Sequence, residues 1–279
     1  MTAFGRGGPP ITRLGLGGEG ILRTFGREHE AREVIEAALD CGVTYCESAR
    51  AYGGSESYYG SVLGSRRERL FLATKVHERS KRGALASLET SLRALGTDVL
   101  DLWQIHDVRD FAELDELESE DGAYAAALEA RQRGLVRYIG VTGHHEPAVL
   151  RAALERFAFD SVLLPINPAE GAHRDAFERS VVPAARERGM AVIGMKVLAR
   201  GLLLGPGGAG LTLDQALGYA LAADVDTLVV GCDDPGQVRA SAAVTAANRG
   251  MPEDRRRELE RRVAPYANRL AYYRGTAAV

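Results

Sequence analysis

Four side chains that can move or hold a proton stand at the ends of short apolar runs. Glu47 and Tyr52 follow the run that opens at Val43, Lys75 closes Phe71-Leu72-Ala73-Thr74, and His106 closes Leu102-Trp103-Gln104-Ile105. A carboxylate, a phenol, an amine and an imidazole gathered in one place make a proton-transfer site. They are far apart in sequence, so the fold has to bring them together. A parallel α/β protein does this, because the carboxyl ends of its strands all open onto one face.

The chain has the pattern of such a fold. Strand-like runs span 11–16, 43–46, 70–74, 100–105, 136–141, 161–164, 190–195 and 227–230. Between them lie amphipathic segments: Ala31, Val34, Ile35, Ala38 and Leu39 share one helical face, as do Leu85, Leu88, Leu92 and Leu95. Gly42, Gly96, Gly134 and Gly189 stand where helices end. Strand–helix repetition with short connections implies parallel pairing and right-handed crossovers. Eight units over 279 residues predict an α/β fold, a (β/α)8 TIM barrel forming a single domain over 1–279 with an extra C-terminal helix over about 253–271. A doubly wound sheet is disfavoured, since no Gly-x-Gly-x-x-Gly opens a helix after the first strand. The acidic stretch 107–122 is long for a βα loop and is expected to form a lid. The arginines of the last helix, interleaved with Glu258 and Glu260, are expected to form a solvated face.

Composition narrows the function. A net charge of -3 provides no basic field for nucleic acid or an anionic membrane. No run is long and apolar enough to span a bilayer, and Met1 to Pro10 lacks the apolar segment of a signal peptide. Cys41, Cys46 and Cys232 show neither disulfide nor metal spacing, which suggests a cytoplasmic protein. His144-His145 has no third ligand at a zinc-like spacing, so no metal site is expected.

Motifs along most of the chain resemble those of the aldo-keto reductase family. They run from Gly42-Val43-Thr44-Tyr45-Cys46-Glu47-Ser48-Ala49 with Tyr52-Gly53, through Phe71 to Lys75 and Leu95 to Leu102 before His106, to Gly134-Leu135-Val136-Arg137-Tyr138-Ile139-Gly140-Val141 and Val230-Gly231. Met195-Lys196-Val197-Leu198 is similar to a bacterial subgroup of that family. The resemblance implies reduction of an aldehyde or ketone, or oxidation of the alcohol, with NADP or NAD. It assigns acid/base work to Tyr52, tuning of its ionisation to Lys75 and polarisation of the carbonyl to His106. Glu47 takes the place of the family's Asp. It is one methylene longer and must bend back to reach the lysine.

The same resemblance places the cofactor's carboxamide against Thr142, Gly143 and Leu163, its ring against Met195, and its phosphates near Lys196, Gly201 and Leu202. The adenosine end would meet Gly231, Cys232, Asp233, Asp234, Gln237 and Arg239. Leu163 cannot form the hydrogen bond made by the family's Gln. Two aspartates would repel a 2′-phosphate, unless they only cap the next helix. His144 is expected at the substrate pocket, and Trp103 either there or in barrel packing. Because Glu47 and the carboxamide contacts depart from the pattern, two other readings stay open: a non-redox epimerase or dehydratase, and a nucleotide-sensing binding subunit. Partners beyond a small-molecule carbonyl or alcohol, and the oligomeric state, are not legible.

Overall fold

The computed structural model describes residues 1–275. A short antiparallel hairpin, β1 (Thr2–Ala3) and β2 (Pro10–Ile11), precedes the main sheet. Eight parallel strands then close a barrel: β3 (Leu14–Gly20), β4 (Tyr45–Glu47), β5 (Phe71–Val76), β6 (Leu100–Ile105), β7 (Val136–Thr142), β8 (Ser161–Pro165), β9 (Ala191–Met195) and β10 (Thr227–Cys232), with β10 returning to β3. The expected (β/α)8 fold is the observed one.

Alternation along the strands decides what faces inward. Phe71 and Ala73 of β5 join Tyr45, Leu102, Leu163 and Ile193 in the barrel interior, whereas Leu72 and Val76 pack in the layer between sheet and helices. The side-chain period of a strand is two, so Lys75 continues the inward series at the carboxyl end. The hairpin's Phe4 lies 4.5 Å from the Phe71 ring and 5.0 Å from the Tyr138 ring, so aromatic packing plugs the interior. The outer helices follow local rules. The helix Lys81–Leu95 starts where Ser80 accepts the Gly83 N–H and stops at Gly96, whose φ of 61° is left-handed. Its buried Ala84, Leu88, Ser91 and Leu95 are spaced to cover one face. Burying Leu88 alone contributes roughly 1.5–3 kcal/mol.

Three expectations are corrected. The first barrel strand begins at Leu14 and runs on to Gly20, because Gly20 still pairs with Cys232, while Ile11 belongs to the plug. The C-terminal helix stops at Val263, since Pro265 cannot continue it, and the chain goes on in short turns to Arg274. Its arginines are not all solvated: Arg256 is buried, pairs with Glu178 at 2.6 Å and lies 4.2 Å over the Tyr219 ring. The stretch 107–122 contains a helix, Phe111–Glu118, capped by Asp110.

Candidate active site

The four proton-handling residues meet at the carboxyl end of β4, β5 and β6, and all are buried. Lys75 Nζ forms an ion pair with Glu47 Oε1, donates to the Ser48 carbonyl at 2.9 Å and lies 3.4 Å from Tyr52 Oη. The second oxygen of Glu47 accepts the Gly18 N–H at 3.3 Å. The His106 ring stands edge-on to Tyr52 with centroids 5.7 Å apart, and His77 covers His106 at 4.0 Å.

Burial sets the resting protonation states. It pushes the Tyr52 phenol above its ordinary range; Glu19 adds to the rise and Arg23 opposes it. Burial also pulls the Lys75 ammonium well below its ordinary range, with Glu19 acting against this and Lys196 and Arg23 reinforcing it. Direct contact with Glu47 is the local counterweight that favours the ammonium. Burial, followed by the charge of Lys75 and the neighbouring His77, drives His106 well below its ordinary range and leaves a neutral imidazole. At rest the phenol holds its proton, and the lysine sits where a departing proton would leave charge.

A cavity of about 1050 Å³ opens from Tyr52 and Glu47 toward the ends of β3, β9 and β10. Among the residues expected to hold cofactor, Met195, Lys196, Gly201, Gly231, Cys232, Asp233, Asp234 and Gln237 line it. Thr142, Gly143, Leu163, Leu202 and Arg239 do not line it. Thr142 Oγ1 is taken up by the Asp107 N–H at 2.8 Å, and Gly143 N–H bonds the Leu163 carbonyl at 3.3 Å. Leu163 packs in the barrel interior, and Leu202 and Arg239 are exposed. Asp234 does cap the helix Pro235–Ala247, accepting the Gln237 N–H at 3.0 Å, while Gln237 accepts the Asp233 N–H at 2.9 Å. Burial pushes the Cys232 thiol up to about 12, with Asp233 and Asp234 adding to it, which keeps this lining cysteine in its thiol form.

The cavity suits an extended anionic dinucleotide. Its volume is at the upper end of ordinary small-molecule sites. Arg23, Lys196 and Arg200 all line it and share one carboxylate, Glu19, which pairs with Arg23 at 2.9 Å but with Lys196 and Arg200 only at 3.8 Å. That leaves positive charge for phosphates. Gly201 has a φ of 84° and open space where a Cβ would stand. Lys196, Ala199 and Arg200 carry positive φ, and with Asp107 they are the non-glycine residues that do so among those described, all on loops beyond β6 and β9.

The remaining sequence candidates lie elsewhere. His144 and His145 both reach Asp107 Oδ1, at 2.9 and 3.1 Å, and His144 Nδ1 meets the Tyr273 carbonyl at 2.7 Å. Trp103 packs outward against the helices, away from the mouth, because it alternates with inward-facing Leu102. Sequence reasoning passed over Glu19, Arg23 and Arg200, which carry no motif. It also passed over Gly18, where a Cβ would stand 2.5 Å from Ser55 Oγ and 3.0 Å from the Tyr52 ring, so the tyrosine can only pack there against glycine.

Comparison with known proteins agrees with this geometry. The family model for the aldo/keto reductase family matches residues 13–210. The chain is 28% identical over 263 residues to pyridoxal 4-dehydrogenase of Microbacterium luteolum, covering 77% of this chain and 75% of that protein. It is 32% identical over 234 residues to the uncharacterized oxidoreductase YrpG of Bacillus subtilis, covering 73% and 68%. The holo form of the aldo-keto reductase AKR11C1 from Bacillus halodurans superposes with a TM-score of 0.78 at 25% identity, covering 93% of this chain and 95% of that one. The chain belongs to the aldo/keto reductase family and is an NAD(P)-dependent oxidoreductase.

Proposed function

We propose that this member of the aldo/keto reductase family interconverts a small aldehyde or ketone and its alcohol, with Tyr52 as the proton donor and acceptor. The observation that carries the reading is the buried contact of Tyr52 Oη with Lys75 Nζ at 3.4 Å, with Glu47 paired to the same nitrogen. A bound nicotinamide dinucleotide supplies or accepts the hydride. Tyr52 gives its proton to the carbonyl oxygen as negative charge develops there. Lys75 stabilises the phenolate left behind, and Glu47 keeps the lysine in place and balanced. The neutral His106 ring orients the carbonyl oxygen through an N–H.

Arg23, Lys196 and Arg200 hold the phosphates, and Met195 packs on the ring. Asp233 and Asp234 disfavour a 2′-phosphate, so NAD(H) serves at least as well as NADP(H). Relatives named as a dehydrogenase and a reductase support redox chemistry over an epimerase or dehydratase on the same barrel. The intact proton-handling set, in turn, supports an enzyme over a sensing subunit. Cys41, Cys46 and Cys232 are all free, in keeping with a reducing cytoplasm.

The test is consumption of NADH and NADPH with a carbonyl panel, and formation of the reduced dinucleotide from NAD or NADP with alcohols and with pyridoxal, the compound named for the Microbacterium relative. Stoichiometric alcohol formation supports the reading. Tight dinucleotide binding with no turnover on any carbonyl or alcohol would overturn it.

A further inference from the structure

Beside His106, but outside the cofactor cavity, three ligand-type side chains converge. Ligand atoms of Asp107, His144 and His145, one from each, lie within 4.8 Å of one another. The tautomer of His144 makes this arrangement informative. Its Nδ1 stands 2.7 Å from the Tyr273 carbonyl, which can only accept, so Nδ1 carries a hydrogen. In a neutral imidazole, Nε2 is then a bare lone pair, and it faces Asp107 Oδ1 at 2.9 Å. His145 Nε2 approaches the same oxygen at 3.1 Å. Asp107 Oδ1 and His145 Nε2 are both buried, and neither makes a hydrogen bond of acceptable geometry. Electron pairs aimed at each other in a buried site need a positive charge between them, either a second proton on the imidazole or a metal ion. The lack of a well-formed hydrogen bond at Asp107 Oδ1 and His145 Nε2 favours the ion.

We propose that Asp107, His144 and His145 bind a divalent transition-metal ion of the Zn²⁺ type. Two imidazole nitrogens and one carboxylate oxygen suit such an ion, whereas Ca²⁺ and Mg²⁺ favour all-oxygen sets. Bond lengths of about 2.0–2.2 Å need the two imidazole nitrogens, at 2.9 and 3.1 Å, to part from the Asp107 oxygen by only a few tenths of an ångström. The carboxylate is held in advance: Arg109 takes its other oxygen at 2.9 Å, Thr142 Oγ1 accepts the Asp107 N–H at 2.8 Å, and the Asp107 backbone is fixed at φ 57°. The carbonyl of Tyr273 plays the part that outer hydrogen bonds play for metal-bound histidines. The ion would clasp the loops after β6 and β7 and, through Tyr273, the C-terminal turn. It takes no part in the hydride step, so the proposal stands apart from the function argued above. Spacing along the chain hides the site, since the third ligand comes from a different βα loop.

The test uses the full chain, stripped of metal with a chelator and titrated with Co²⁺ by visible absorption and calorimetry. One saturable equivalent is expected, weakened about tenfold or more in Asp107→Asn and in His145→Gln, while His29→Gln, an exposed histidine, leaves it unchanged. Absence of a saturable equivalent, or equal binding by the His144→Gln/His145→Gln double variant, overturns the proposal. Nitrogen-15 spectra of the unmodified protein with Zn²⁺ settle the matter if a variant fails to fold. Both Nε2 signals should move to metal-bound values. A His144 Nε2–H that persists unchanged would show an imidazolium–carboxylate pair instead.

Discussion

The two sides of the barrel mouth hold their charges in different ways. On the side of β4 and β5, Glu47, Lys75 and Tyr52 are buried at the inner end of the cavity, and each polar atom has a specific partner from a strand or the turn beyond it. On the side of β9 and β10, Arg23 from the turn after β3 shares Glu19 across an open cavity with Lys196 and Arg200, which stand at 3.8 Å on a loop with left-handed backbone. A buried pair fixes geometry for proton transfer and is costly to break. A loosely shared carboxylate leaves cations ready for an anionic ligand and costs little to rearrange. The first region should therefore respond to mutation through turnover and stability, and the second through cofactor binding.

Loss of the phenol is the severest way to break the contrast. Tyr52→Phe should cut turnover by about 10²–10⁴-fold while dinucleotide affinity, read by fluorescence, stays near the wild-type value. Glu47→Gln comes next. It leaves Lys75 buried without its counter-ion, which costs about 3–5 kcal/mol and should appear as a lower denaturant midpoint together with reduced kcat. Glu47→Asp retains the charge and should keep both closer to wild type. If Asp abolishes activity while Gln retains it, the counter-ion role is wrong. Gly18→Ala is subtler: the new methyl displaces Ser55 or Tyr52, and a shift near 1 Å should lower kcat by about a hundredfold with little change in KM for the cofactor.

The open side should yield the smallest effect. Asp233→Ser with Asp234→Arg should move preference toward NADPH by less than about tenfold, because both positions are exposed and solvent screens them. The same change removes the helix cap, at about 1 kcal/mol. Titrations of both reduced cofactors at two salt concentrations check it. Unmodified protein that binds NADPH clearly more tightly, and less so as salt rises, would show that the aspartates serve only as cap and loop residues.

The same contrast explains what the sequence revealed. Glu47, Lys75 and His106 end apolar strands, and Tyr52 follows within a turn, so period-two alternation and the common polarity of parallel strands place them together. Asp234 before Pro235 is a helix cap that sequence alone displays. Arg23, Arg200 and Asp107 were hidden because their placement depends on backbone turns, several with positive φ, that no spacing encodes. Leu163 was assigned by analogy with the family, and alternation along β8 sends it to the packed barrel interior, while Trp103, expected at the pocket or in barrel packing, takes the second place. The Gly18 requirement comes from a contact between separate strand ends, visible only once β3 and the Tyr52 turn are side by side.

The central claim is that Tyr52 holds the transferable proton, and the pH dependence of a single turnover tests it directly. Burial raises the phenol, so the acid form should persist through neutral into alkaline solution. Reduction by pre-bound NADH or NADPH should be flat from about pH 6 to about pH 9 and fall above that as one proton is lost. The reverse oxidation should rise over the same alkaline range. In Tyr52→Phe the residual rate should show no alkaline break. A wild-type break near neutrality, or an unchanged alkaline break in the Phe variant, would contradict the assignment.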